Sequence, residues 1–438
     1  MEYQFMESTT MKFTVEFCVA IGLILAFIRP KWLIYFLIFS LLEPSRSFSL
    51  GNYVILGTVN VKYYEITISL IYFSAFWHQK RSIKNCLPIS LVIFLFFALV
   101  SLWRGNSVYG ESAFNQFRTF YSMGMCLVIP MLFKDSDELR PLTIFFLIVT
   151  VIMGTIELLG IMGVNEINRW TMSGNRYTSI LSASQGAILA MPYLYILSIM
   201  RYIKRFKIAT IIACVYCFAL AVITGSRGVV LGLVGGTAGL TLLMPIRKKV
   251  TITIAVVLLG LSSFIFAKSF YIERYEMTLA ERFNNIISTK EGTARWRLDA
   301  WSQMLEDIRE KPLFGSPFGT PSTFYVSYVG REEQAPHNEY LKVARYTGLL
   351  GFGAFMWFLA GIFFSGFKQM KKLGECKEYY ELAGYVMCLL FHVITAMFTQ
   401  AFTTMDRSPI VWALAGVIIL YTLQSPKISY NKNRQSFA

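Results

Sequence analysis

Long apolar segments separated by short basic clusters dominate this chain of 438 residues. The segments are about 17 to 25 residues long, the length that a helix needs to cross a hydrocarbon layer about 30 Å thick. Such a layer admits only helices and closed barrels, and the segments lack the alternation of apolar and polar residues typical of barrel strands. Only 15% of the residues are charged, too few to coat soluble domains of this size. The sequence therefore predicts an all-α polytopic membrane protein.

About 12 or 13 spanning helices are predicted from segment length. The candidate spans are 13–28, 32–43, 63–77, 86–103, 114–133, 141–163, 178–200, 206–223, 227–245, 250–267, 346–366, 381–401 and 409–424. The first two are short, so a re-entrant or half-spanning piece is an alternative there, and the side of the N-terminus stays open. The predicted organisation is an N-terminal transmembrane bundle over 1–267, a large loop over 268–345, and C-terminal spans with a tail over 346–438.

The net charge of +15 would fit a protein that binds nucleic acid. The basic residues lie between apolar segments, however, so membrane topology explains them better, and no nucleic-acid partner is expected. The basic clusters fall on one side of the predicted bundle, which the positive-inside rule makes cytoplasmic, together with the C-terminal tail. The connections expected on the opposite, outer side are 104–113, 164–177, 224–226, 268–345 and 402–408.

The segment 268–345 is the long hydrophilic stretch of the chain, with 11 basic and 11 acidic residues. Loops of such length are usually functional. Within it we predict a helix over 294–311, capped by Thr293 and ended by Pro312. The spacing places Arg297, Trp301, Met304, Leu305 and Ile308 on one face. An arginine in an apolar stripe needs a partner, unless it extends to solvent at the edge of the stripe.

Several arginines converge on the predicted outer side. Charges within the membrane boundary cost about 2.5–3.5 kcal/mol each on insertion scales, so they tend to mark sites. Guanidinium groups suit phosphate because they stay protonated and offer paired donors. An anionic ligand is therefore predicted, with contact to lipid headgroups as the alternative. The candidate residues are Arg118, Arg169, Arg176, Arg227, Arg295 and Arg297.

His337 is the candidate proton acceptor. It precedes Asn338 and Glu339 at the predicted start of the helix that leads into the span near 346. A helix N-terminus disfavours imidazolium, so the ring would stay neutral and could act as a general base. A structural role at a loop-to-helix junction is the alternative. His78 and His392 are expected far from His337, so no metal site is predicted.

A set of short motifs in this order resembles the O-antigen ligase and polymerase superfamily. The motifs are Thr224-Gly225-Ser226-Arg227-Gly228, Arg297-Leu298-Asp299-Ala300-Trp301, Glu310-Lys311-Pro312-Leu313-Phe314-Gly315, and His337-Asn338 followed by Leu341, Gly348 and Gly351. The detailed resemblance covers residues 222–353. It implies a bacterial inner-membrane protein with about a dozen spans, a large periplasmic loop and no cofactor.

The resemblance also implies a chemistry, namely glycan transfer from an undecaprenyl-diphosphate carrier to an acceptor hydroxyl without a metal. By position, Arg227 and Arg297 would contact the carrier diphosphate, and His337 would activate the acceptor, with inversion at the anomeric carbon. Arg118 and Arg295 are further candidate diphosphate ligands, and Asn338, Glu339, Arg176 and Arg169 are candidate supporting residues. Many family members carry an acidic residue where this chain has Tyr346, so the resemblance assigns no carboxylate to this position.

Three activities stay open. A polymerase would use a lipid-linked repeat unit as acceptor, a ligase would use lipid A-core, and a flippase would move the lipid-linked glycan without chemistry. We favour the polymerase, because bacterial surface-polysaccharide loci supply many divergent polymerases. The bilayer, the lipid-linked donor and a chain-length regulator protein are the expected partners.

Overall fold

The fold is helical. The computed structural model describes residues 20–41, 54–56, 59–61, 63–161, 183–203, 207–223, 226–243, 293–321, 324–326, 331–333, 337–404 and 407–424. Its α-helices are α1 (20–28), α2 (Pro30–Leu41), α3 (Tyr63–Trp77), α4 (Ile83–Cys86), α5 (Ile89–Tyr109), α6 (Glu111–Phe117), α7 (Met125–Leu132), α8 (Ser136–Ile161), α9 (Ala183–Ile199), α10 (Lys207–Ile223), α11 (Arg227–Leu243), α12 (Thr293–Glu310), α13 (Glu339–Leu373), α14 (Lys377–Thr395) and α15 (Ser408–Leu423). Two short 3₁₀ helices, Arg118–Gly124 and Met200–Tyr202, accompany them.

Two antiparallel hairpins accompany the helices in the part of the chain that the structure describes. Strand β1 (Val54–Leu56) pairs with β2 (Val59–Val61), and β3 (Phe324–Val326) pairs with β4 (Arg331–Glu333). Each strand has three residues, so the predicted helical class holds. The hairpins were not predicted, and β3 and β4 lie within the large loop. The predicted span 250–267 lies outside the described residues.

Three described helices are long and apolar enough to cross a membrane by length and composition: α5, the Ser136–Ile156 part of α8, and α13. Five shorter apolar helices accompany them, at Pro30–Leu41, Gly186–Ile199, Lys207–Val222, Gly228–Leu243 and Ser408–Leu423. Large apolar side chains are exposed on several of these helices, for example Trp103, which is 78% exposed. An apolar outer surface of this kind fits a membrane protein. The number of about twelve spans stays a prediction.

The predicted span over 114–133 is helical as far as residue 132, but its helix is not uniformly α. The segment divides into α6, the 3₁₀ helix Arg118–Gly124 and α7. The hydroxyl of Tyr72 donates to the carbonyl oxygen of Tyr121 at 2.6 Å, which gives that carbonyl a partner from outside the helix. Gly124 lies against the same ring, because a Cβ there would come within 2.7 Å of Tyr72. Packing against α3 therefore accompanies the tighter turn at this place.

The core centres on α14. Every residue from Tyr380 to Leu389 is buried, because α9, α11 and α15 all pack against this helix. The approach of α11 is close, and a Cβ at Gly232 would lie 2.7 Å from Phe391. Small residues permit such backbone approach between membrane helices. Helix α13 packs against α5 and α15, which completes the support for the site described below.

The two ends of the bundle differ in chemistry. At one end the Glu138 carboxylate accepts from the Nζ atoms of Lys31 and Lys80, both at 2.8 Å, and Arg140 pairs with Glu381 at 2.9 Å. This end contains the connections predicted as cytoplasmic. At the other end, the loop segment 311–321 covers α5 and α6. There the amide of Phe318 donates to the Ser101 hydroxyl, and the amide of Gly319 donates to the Gln116 side chain.

Candidate active site

His337 lies immediately before the N-cap of α13. The cap is Asn338, whose side-chain oxygen accepts from the amides of Tyr340 and Leu341, each at 3.1 Å. This capping explains why the helix starts at Glu339, as predicted. The backbone of His337 has a φ of +50°, a left-handed conformation that is uncommon for a residue with a side chain. Strained backbone of this kind clusters at functional sites.

Two arginines and burial determine the charge of His337. Burial is the largest cause, and the positive charges of Arg297 and Arg407 add to it, so that the pKa of His337 falls to about 4. The ring is therefore neutral at pH 7 and can accept a proton. Neutrality was predicted from the helix dipole, whereas the structure attributes it to desolvation and to nearby cations. The grouping of Arg297 with His337 agrees with the predicted convergence.

Helix α12 positions Arg297. It was predicted over 294–311 and is observed over Thr293–Glu310. Its buried face carries Ala300, Met304 and Ile308, and Ala300 and Met304 contact Leu341 of α13. The ring of Trp301 lies 6.5 Å from that of Phe398, between α14 and α15. The prediction that Leu305 belongs to this face is wrong, since its side chain is 44% exposed. The residues that pack are those spaced three to four apart on the side facing α13.

A half-buried ion pair fixes α12 to α13. The Nε of Arg345 lies 2.6 Å from a carboxylate oxygen of Asp307. The same guanidinium donates to the carbonyl oxygen of Pro321 at 2.9 Å and to the hydroxyl of Tyr346 at 3.3 Å. The Tyr346 ring stacks on Phe318 with centroids 5.2 Å apart. Tyr346, which stands where the resemblance implies an acidic residue, is thus an aromatic residue that supports the loop.

Two glycines let the loop approach α13. Gly348 interrupts α13 with a φ of +68°, and a Cβ there would lie 2.1 Å from the carbonyl oxygen of Leu313. Gly315 has a φ of +65°, and a Cβ there would lie 2.4 Å from the carbonyl oxygen of Arg345. Both positions require glycine for conformation and for space. Gly315 and Gly348, which belong to two of the sequence motifs, therefore lie at one contact that holds the loop against the helix.

A buried polar cluster lies at the start of α13, next to His337 in the chain. The hydroxyl of Thr403 donates to Glu339 at 2.7 Å, and Nζ of Lys342 donates to the same hydroxyl at 2.8 Å. Glu339 is fully buried, and Arg407 is 4% exposed. The amide of Glu339 also bonds to the carbonyl oxygen of Ala396 at 3.0 Å. The connection from α14 to α15 is thereby held against the start of α13.

His392 is closer to this cluster than expected. It is fully buried near the end of α14, and the charge of Arg407 acts on both His392 and His337. Neither ring nitrogen of His392 has a hydrogen-bond partner within the described part of the chain. The expectation that His392 lies in the middle of the predicted span 381–401 is therefore wrong. It failed because α14 ends at Thr395, which brings His392 to the outer end.

The remaining candidate arginines differ in how much of each residue the structure describes. Nε of Arg118 pairs with Glu65 at 3.0 Å, and both line a small pocket with Pro409, two residues beyond Arg407. Helix α11 begins at Arg227, as predicted, and the adjacent Gly228 packs on Phe398. The side chains of Arg227 and Arg295 are outside the described part of the structure, as are Arg169 and Arg176 entirely.

Sequence reasoning did not single out Arg407, Lys342 or Arg345. A signal for Arg407 existed, because it is a cation directly before a predicted span in the outer connection 402–408. The same rule selected Arg227. Lys342 and Arg345 lie on the first two turns of α13, and helical spacing from His337 did not reveal that both are enclosed by other segments.

Comparison with known proteins supports the resemblance. Residues 212–356 match the family model described as O-Antigen ligase, which spans about a third of the chain and contains Arg227, Arg297 and His337. The predicted superfamily is thus confirmed over this range, and the match implies a membrane enzyme of the ligase or glycosyltransferase type. No curated protein matches the chain. Arg407 and His392 lie beyond the matched range.

Proposed function

From the O-antigen ligase match of residues 212–356, we propose that the chain transfers a glycan from undecaprenyl diphosphate to an acceptor hydroxyl at the periplasmic face of the bacterial inner membrane. The observation that carries the proposal is the position of His337 in the field of Arg297 and Arg407. A neutral imidazole beside two guanidiniums combines a proton acceptor with an anion site. Breaking a bond from sugar to diphosphate requires both.

The proposed reaction is a single displacement. The acceptor oxygen attacks the anomeric carbon from the side opposite the diphosphate, so the bond from that carbon to the diphosphate oxygen breaks with inversion. The acceptor proton moves to His337, which becomes imidazolium, and the bonding electrons leave with the diphosphate. Fixed guanidiniums stabilise the developing negative charge where water is scarce. General-base help of this kind typically contributes about 10²–10⁴-fold in rate.

The diphosphate ligands in this proposal are Arg297, Arg407 and Arg227. Arg227 is included because Gly228, its neighbour, packs against the connection between α14 and α15, the connection that ends at Arg407. Arg118 is assigned a weaker part, since Glu65 balances its charge. The diphosphate would thus lie at the outer end of α11 and α15, with the sugar beneath α12.

Two acceptors compete within the proposal. A lipid-linked repeat unit would make the chain a polymerase, as we favour from the sequence. Lipid A-core would make it a ligase, and the description of the matching family model favours this alternative. Donor and chemistry are shared, so only the acceptor separates the two.

An acceptor-swap assay tests the proposal. The purified full-length protein in lipid nanodiscs would receive undecaprenyl-diphosphate-linked glycan with either the repeat-unit lipid or lipid A-core, and the products would be separated by mass. A lengthened lipid-linked glycan identifies a polymerase, and glycosylated lipid A-core identifies a ligase. Movement of the donor between leaflets without any new glycosidic bond would contradict the proposal and support a flippase.

A further inference from the structure

A cavity opens at the end of the bundle away from His337, where α13 and α15 finish. Its empty volume is about 620 Å³, and it lies between α4, the start of α5, the second half of α13 and the end of α15. Part of its lining is apolar, contributed by Leu87, Phe358, Ile362, Ile419 and Leu423. The rest includes the polar side chains of Asn85, Ser90, Ser365 and Thr422. A lining of this mixed kind suits a ligand with both an apolar and a polar part.

The first turn of α5 borders this cavity. Leu87, Pro88 and Ser90 all line it, and the N-cap residue Pro88 makes no side-chain hydrogen bond to the helix. Backbone amides in the first turn of a helix have no acceptor within the helix and lie at the positive end of its dipole. Ser90 is only 5% exposed, and its hydroxyl bonds to no other group in the described part of the chain. Phosphate fits this position, because it accepts from amides and from hydroxyls.

Two exposed lysines flank the cavity. Lys84 precedes the lining residue Asn85 in α4. Lys372 follows the lining residue Ser365 by seven residues, or about two turns along the same face of α13. Both lysines are exposed. Side chains on a helix lean towards its N-terminus, so Lys372 leans from the end of α13 towards the cavity. An anionic ligand is therefore favoured over a neutral one.

We infer that this cavity binds an anionic phospholipid of the leaflet predicted as cytoplasmic. The first turn of α5 and the Ser90 hydroxyl hold the phosphate, Lys84 and Lys372 offset its charge, and the apolar lining takes the start of an acyl chain. Basic pockets between spanning helices are a common form of acidic-lipid site. A free phosphate ion matches less well, because it leaves the apolar lining unused. The inference is independent of the proposed function, since the cavity and His337 lie at different ends of the bundle.

The walls of the cavity are fixed by protein contacts. The Arg81 guanidinium donates to the carbonyl oxygens of Phe133 at 2.9 Å and Pro130 at 3.3 Å, which holds the segment before α4 against the end of α7. Helix α13 packs against both α5 and α15. Gly361 of α13 lines the cavity, and a Cβ there would meet no atom within 4 Å. The lipid site is thus preformed, and a larger side chain at Gly361 would occupy it.

Native mass spectrometry tests this inference by counting the lipids that stay bound. Full-length protein would be released from nanodiscs that contain equal amounts of phosphatidylglycerol and phosphatidylcholine. We expect wild type to retain a phosphatidylglycerol molecule that Gly361→Leu loses, because the leucine fills the cavity. Gly353→Leu is the matched control, since Gly353 is on the same helix, a Cβ there also meets no atom within 4 Å, and it does not line this cavity. It should retain the lipid as wild type does.

Substitutions of the polar groups test how the phosphate is held. In a titration of delipidated protein with phosphatidylglycerol, Ser90→Ala should weaken binding about tenfold, because a hydrogen bond to a charged group is lost. Lys84→Gln and Lys372→Gln should each weaken binding about five-fold, the usual effect of one lysine near an acidic headgroup. Lys371→Gln removes an exposed charge from a different face of α13 and should bind as wild type. If Gly361→Leu does not fold, these three variants still decide.

Several results would overturn the inference. Equal retention of phosphatidylcholine would show that the charge of the lipid is not recognised. Retention of phosphatidylglycerol by Gly361→Leu, or wild-type affinity in Ser90→Ala and both lysine variants, would place the lipid elsewhere on the protein. Inorganic phosphate that raises the thermal midpoint as much as phosphatidylglycerol does would identify a free anion as the ligand. A wild-type protein that retains no lipid would mean that another occupant, such as the chain after residue 424, takes this space.

Discussion

The ion pair between Asp307 and Arg345 predicts how firmly α12 is held over the site. The arginine side chain is 5% exposed, whereas the aspartate side chain is 36% exposed. Removing one partner of a buried pair typically costs about 3–5 kcal/mol, because the other charge stays buried without compensation. In Asp307→Ala the buried guanidinium loses its carboxylate, and we expect a cost of about 3 kcal/mol, at the lower end because the pair borders solvent. Asp307→Asn keeps an acceptor for Nε and should cost about 1 kcal/mol.

Hydrogen exchange, measured by mass spectrometry in nanodiscs, gives this loss of free energy from the exchange rates of the α12 amides. A loss of about 3 kcal/mol corresponds to about 100-fold faster exchange of the α12 amides, since about 1.4 kcal/mol is tenfold. Asp307→Asn should accelerate exchange about five-fold, and transfer should fall in the same order because Arg297 moves with α12. Glu310→Ala removes an exposed carboxylate from the same helix and should leave exchange near wild type. Wild-type exchange in Asp307→Ala, or equal acceleration in Glu310→Ala, would refute the reasoning.

Three further predictions concern the site. Arg227→Lys should lose most glycan-transfer activity while the protein still inserts and accumulates, because binding the diphosphate needs paired donors and charge alone is insufficient. Normal transfer by this variant would show that Arg227 is not part of the site. The acid limb of kcat/KM for the donor should lie near pH 4, since the neutral form of His337 is lost only below its lowered pKa; a limb near pH 6.5 would contradict this. Gly348→Ala should displace the loop and cut transfer, because the new Cβ would meet the Leu313 carbonyl at 2.1 Å, and wild-type transfer with an unchanged thermal midpoint would show that the loop can adapt.

Local patterns predicted much of the outer loop. The bounds of α12 followed from its apolar spacing and from Pro312, and the start of α13 followed from the His337-Asn338 junction. The grouping of Arg297 with His337 followed from placing both on one side of the membrane. These features depend on neighbours in sequence or on membrane sidedness, which a single chain encodes directly.

Tertiary contacts explain what the sequence did not predict. The 3₁₀ stretch Arg118–Gly124 coincides with a hydrogen bond from Tyr72, a residue 49 positions away from its partner Tyr121. The roles of Arg345 and Arg407 depend on Asp307 and on the folding of the α14–α15 connection around Glu339. The exposure of Leu305 depends on which side of α12 meets α13. None of these contacts leaves a periodic signal in the residues that make it.

The most direct test of the central claim measures donor binding and turnover in the same preparation of His337→Ala. If Arg297 and Arg407 hold the diphosphate and His337 removes the acceptor proton, this variant should bind the undecaprenyl-diphosphate-linked glycan with nearly wild-type affinity while turnover falls by about 10²–10⁴-fold. A parallel loss of affinity and turnover would make His337 a binding residue, and undiminished turnover would exclude it as the base.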